Sequence, residues 1–152
     1  MVEMALVTPL LLIILMGSFE LGNYFLDEHA LVKAVRDGAR FAGRQDFSNF
    51  ACSGSPGGTV VADTRNVVMT GLTSGGTNRL PLWVPSSITI TQACATAAGG
   101  TPLSGIYRGA ANGATTVTVS ATVPYLPLLS SFGFRGTGLN LNASQQAAVM
   151  GI

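Results

Sequence analysis

Charge is scarce in this 152-residue chain: eight Lys and Arg and seven Asp and Glu make up 10% of it, against the usual quarter. No block of Lys and Arg is long enough to neutralise a row of phosphates, so nucleic-acid binding has no support. The single histidine, His29, follows Asp27 and Glu28 in a helical pattern, and consecutive helical positions do not share a face. Acidic residues are absent beyond Asp63, so a metal site or general base built on His29 lacks ligands, and no catalytic, metal or cofactor residue is expected. Phosphate-cradling glycine motifs are also missing; Gly75-Gly76 and Gly99-Gly100 read as turn punctuation. Asn142-Ala143-Ser144 fits a glycosylation sequon, but it falls inside an expected strand and is discounted.

What the chain does have is apolar surface, 47% of its residues, and a lopsided distribution of its few charges. Ten of the fifteen lie between Glu3 and Asp46, and only Asp63, Arg65, Arg79, Arg108 and Arg135 follow. The chain therefore divides into residues 1–46, read as a stalk helix, and residues 47–152, read as a globular part rich in Gly, Thr, Ser, Ala and Asn. Weakly charged surface of this kind suits an extracellular or assembled protein. Cys52 and Cys94, the only cysteines, both lie in the second part. An even pair in a small exported domain reads most simply as a disulfide, with two buried free thiols as the other reading.

From Met4 to Phe19 the chain runs MALVTPLLLIILMGSF without a charge. Extended through Glu20 and Asn23 to Leu26, a helix here matches the thickness of a hydrocarbon core, with Glu20 near one interface. A cleavable signal peptide would place basic residues first and a small-residue cleavage site after a shorter apolar core. Glu3 precedes the apolar run and the helical pattern continues past it, so a retained segment is expected. Pro9 removes one backbone hydrogen bond and should kink or loosen the helix near Leu6 to Pro9. Glu3 and Glu20 each need a polar partner or an interface. For Glu3 a neighbouring subunit's N-terminal amine would serve; for Glu20, headgroup water and a structural role both stay open.

Helical period persists to about Arg44: Leu31, Ala34, Val35, Gly38, Phe41 and Ala42 form an apolar stripe, and Lys33, Arg36, Arg40 and Arg44 take the other side. The small residues at every fourth position, Ala34, Gly38 and Ala42, allow another backbone to approach closely. That backbone belongs either to this chain's own domain, which an amphipathic face favours, or to another subunit. Positive charge after the apolar segment would set the C-terminal part in the cytoplasm, whereas a disulfide-bearing, Thr-rich domain belongs outside. Removal of a basic leader ahead of Met1 reconciles the two.

These residues resemble the TadE-like family of pilin-related proteins from tight-adherence secretion systems. The opening VEMALVTPLLLIILMGSFELGNYF is similar to that family's Glu-led apolar helix, with its Phe-Glu-x-Gly-like step at Phe19, Glu20, Leu21 and Gly22. AVRDGARFAG, Ala34 to Gly43, resembles its Ala-x-Arg-Glu/Asp-Gly-Ala-Arg motif, and VTVSATVPYLPLL with GLNLNASQQAAV resembles its strand, Pro/aromatic loop and final strand. The middle, Phe47 to Gly113, matches only in general character. One departure is visible: type IV pilins carry their glutamate fifth after cleavage, and here it is third. The resemblance implies a bitopic precursor cut by a prepilin peptidase, a bacterial inner-membrane stage, and a helix destined for a homo-oligomeric filament at the cell surface or for a pseudopilus. It also implies contact with the pilus assembly machinery. A minor pseudopilin or single-pass machine component that never polymerises in bulk is the alternative.

In the globular part, Thr59 to Gly71 permits a short helix ending at glycine or a strand. Alternation then marks strands around Ile88 and Ile90, along Val117 to Val123, and through Leu139, Leu141 and Ala143. Pro81, Pro85, Pro124 and Pro127 fall at strand ends. Three or four antiparallel strands with one apolar face need a cover, which the helix stripe supplies. The expected fold is α+β, a pilin-like lollipop whose helix packs by its C-terminal half on a small antiparallel sheet. Leu126, Leu128, Leu129, Phe132 and Phe134 make an apolar loop expected to meet a neighbouring subunit or to be buried in the chain's own core. Candidate assembly residues are thus Glu3, Pro9, Glu20, Gly38, Ala42, Leu128 and Phe132, with Cys52 and Cys94 as the candidate disulfide.

Overall fold

The computed structural model describes residues 2–52, 54–95, 104–108, 113–132 and 138–151, and the side chains of residues 2, 3, 5, 131 and 132 are not among what is described. Helix α1 runs Val2–Gly43, helix α2 Gly58–Thr70, and strands β1 Ile88–Ala95, β2 Ala114–Pro124 and β3 Asn140–Ala148 follow. The sheet is antiparallel in the order β1-β2-β3, with Ile88 opposite Ala121 and Val123 opposite Leu141. The fold is α+β, and the long helix covers one face of the sheet.

Alternation decides which face. Val117, Val119, Ala121 and Val123 of β2 are buried with Ile88 and Leu141, while Thr89, Thr91, Asn142 and Ser144 point outward. Against that apolar face lie Leu31, Ala34, Val35, Ala39 and Ala42 of α1, all without exposed surface. Lys33, Arg36, Arg40 and Arg44 stay exposed on the opposite side, so the amphipathic half of the helix is oriented by its own sequence.

The Thr59–Gly71 ambiguity resolves as helix α2. Gly71 ends it in the left-handed region at φ +84°, its N–H donating to Val67 O at 2.9 Å, a cap that a β-branched residue would resist. Buried Val60, Val67 and Val68 turn one face of α2 to the core. Cys52, ahead of α2, is disulfide-bonded to Cys94 on β1 with their Cα atoms 5.8 Å apart. Closing a loop of 42 residues stabilises the fold by about 4 kcal/mol on the chain-entropy model. Leu139 does not join the apolar face. It precedes β3, next to Gly138 at φ +96°, and remains exposed while its carbonyl accepts from Tyr125 N.

Candidate functional site

The two halves of α1 live in different surroundings. Every described side chain from Met4 to Leu15 is exposed, and so are Phe19, Leu21, Phe25 and Leu26. Among the described residues nothing covers this surface. Met4 to Leu26 spans 23 residues, about 34 Å of helix, enough to cross a hydrocarbon core. Its two aliphatic hydroxyls are turned back onto the backbone: Thr8 Oγ1 donates to Met4 O at 2.6 Å and Ser18 Oγ to Leu15 O at 2.7 Å. Such bonds let polar side chains sit in an apolar medium. Helix α1 runs continuously through Pro9.

Glu20 marks the junction. Its carboxylate accepts from the Tyr125 hydroxyl at 2.6 Å, from Leu128 N–H at 3.2 Å and from Leu129 N–H at 3.0 Å. The Tyr125 oxygen in turn accepts from Asn23 Nδ2 at 3.1 Å, and the Tyr24 ring meets that of Tyr125 edge-on at 5.2 Å. Hydrogen bonds to a charged group contribute about 1.5–3 kcal/mol each, which offsets the cost of holding a carboxylate beside an apolar loop. Burial first, and then the bond to Glu20, push the Tyr125 hydroxyl above its ordinary value, with the Asn23 bond opposing them. Of the two readings open for Glu20, the structural one is what the fold contains.

The remaining candidates scatter. Gly38 and Ala42, placed among assembly residues by their spacing, are instead buried inside the chain. A Cβ on Gly38 would collide with Val68 Cγ2, so the close approach that small residues permit is used by α2. Leu128 is exposed at 63%. The side chains of Glu3 and Phe132 and the residue Phe134 lie outside what is described. Asp37, on the flank of the basic face, pairs with Arg79 at 3.0 Å and ties α1 to the segment after α2. This exposed pair contributes at most about 1 kcal/mol. His29 is exposed, and among the described residues no three His, Cys, Asp or Glu side chains gather as a metal site.

Tyr125 and Asn23 are the residues that sequence reasoning missed. A tyrosine between Pro124 and Pro127, in a loop otherwise apolar, was the available signal: a buried phenol needs a polar partner, and Glu20 was the carboxylate in want of one.

No curated protein and no solved structure matches the chain. Residues 1–40 match the family model described as TadE-like protein. The matched segment takes in the bare apolar stretch, the Glu20 step and most of the small-residue stripe, and the sheet lies beyond it. Over its stalk, then, the chain is similar to the TadE-like family.

Proposed function

We propose that the chain is a non-catalytic structural subunit of a Tad-type pilus, held in the membrane by residues up to about Leu26 before assembly and packed through the same helix in a filament afterwards. The TadE-like match over residues 1–40 and a helix able to span a membrane support a membrane component related to the Tad pilus. One observation carries the further step: every described side chain from Met4 to Leu15 is exposed, while the apolar stripe of the second half of the helix is buried in the chain's own domain. In lipid that surface is satisfied. Outside lipid it needs other copies of itself, because an exposed apolar surface of this extent is not stable in water. Processing by a prepilin peptidase and handling by the pilus assembly machinery belong to the same proposal, resting on the family.

Negative-stain microscopy of material sheared from the cell surface tests it. Regular fibres that contain this chain are expected. Recovery from the membrane fraction alone would leave the chain a single-pass component of the assembly machine and overturn polymerisation.

A further inference from the structure

The loop Tyr125 to Leu129 is fastened to the stalk at the level of Glu20 by three hydrogen bonds. Glu20 lies six residues short of Leu26, about 9 Å along the helix. A stalk immersed as far as Leu26 therefore carries the loop down with it. The loop is built for that medium. No charged residue occurs from Ala121 to Phe134, and Leu126 and Leu128 are exposed beside a stretch of stalk whose Phe19, Leu21 and Phe25 are exposed as well. Five polar groups at this depth are paired among themselves, as an apolar boundary favours: the Glu20 carboxylate, the Tyr125 hydroxyl, the Asn23 amide and the N–H groups of Leu128 and Leu129. Tyr24 and Tyr125, packed edge-on, have the character of an interfacial aromatic pair.

We infer that this loop is a second membrane contact: Leu126 and Leu128 enter the lipid bilayer beside the stalk, at the boundary between headgroups and acyl chains. The occupant is lipid rather than a second copy because the apolar surface of the loop continues that of the membrane segment to which it is bonded. The inference rests on the stalk spanning a bilayer, and it gives the globular part a fixed seat on the membrane in place of a free tether.

Depth-dependent quenching tests it. Full-length chains carrying Leu15→Cys, Leu128→Cys or Met150→Cys are labelled with bimane without reductant, so that the Cys52–Cys94 bond survives. They are then placed in phosphatidylcholine–phosphatidylglycerol vesicles with nitroxide on the acyl chain or on the headgroup. Met150 is the distant control, since its N–H donates to Gly43 O, 23 residues past Glu20 and about 35 Å up the helix. The labels at Leu15 and Leu128 are expected to lose most of their emission to acyl-chain nitroxide at every protein-to-lipid ratio, and the label at Met150 to keep its own. Quenching at Leu15 without quenching at Leu128 overturns the loop contact and leaves the span standing. A Leu128 signal that follows protein density in place of quencher depth would put a second copy there and also overturn it. Absence of quenching at Leu15 removes the span itself, and with it this inference.

Discussion

The hydroxyl of Tyr125 donates to the carboxylate of Glu20 at 2.6 Å, joining residues 105 apart in sequence. This bond couples the membrane-facing half of the stalk to the end of β2, and it makes the glutamate part of the fold.

Replacing Glu20 by Ala leaves the N–H groups of Leu128 and Leu129 without their acceptor and the Tyr125 hydroxyl with the Glu20 main-chain oxygen alone, at 3.2 Å. A loss of about 2 kcal/mol is expected, together with faster hydrogen exchange at the Leu128 and Leu129 amides. Glu20→Gln should fall between, since the amide oxygen still accepts but carries no charge. Unchanged protection at both amides would show that the loop is held by something else.

Alkaline pH should weaken the same junction. The folded value of Tyr125 lies above its ordinary 10.0, so its contribution is fully present below pH 10 and is lost as pH rises through the folded value. Denaturation of the chain in detergent micelles as pH is raised past 10 should show that loss, and Tyr125→Phe should remove this increment from the profile. A profile identical in the two chains contradicts the coupling.

Gly38→Ala should destabilise the globular part by about 1–3 kcal/mol through overpacking, because a Cβ there meets Val68, a stiff β-branched side chain with no exposed surface. Adding Val68→Ala should restore part of the loss, which a double-mutant cycle reads directly. Membrane insertion should be unaffected. Strict additivity would mean that the two residues do not meet.

Truncation separates the stalk's two roles. A chain beginning at Asp27 keeps the stripe from Leu31 to Ala42 but loses Glu20, Asn23 and Tyr24, and with them every partner found for Tyr125 on the stalk. One beginning at Gly17 keeps those partners. Thermal melts should place the longer chain higher, and size-exclusion chromatography should show less aggregate for it. Equal melting temperatures would relegate the Glu20 junction to decoration.

Much of this was legible in the sequence, for physical reasons that can be named. The stripe Leu31, Ala34, Val35 and Ala42 repeats with helical period and indeed packs in the core with the sheet, and the valines of β2 alternate and indeed face the helix. Helix α2 was ambiguous because valine suits both states, and only the glycine at its end favoured the helix. Small residues at every fourth position could not say whose backbone comes close, so Gly38 read as an assembly residue although Val68 occupies the approach. Leu80 and Trp83 are buried from an irregular segment that has no period to reveal them. The Glu20–Tyr125 junction was hidden for a similar reason: a long-range pairing of a helix with a loop leaves no local pattern.

The central claim concerns what covers the bare stalk once it has left the membrane. A photo-crosslinking side chain at Leu11, exposed in the isolated chain, tests it most directly when irradiated in membranes and in sheared surface material. Lipid adducts are expected from the first, and from the second a ladder of chain-to-chain adducts. Lipid adducts alone, with no ladder from any fraction, would contradict polymerisation through this helix.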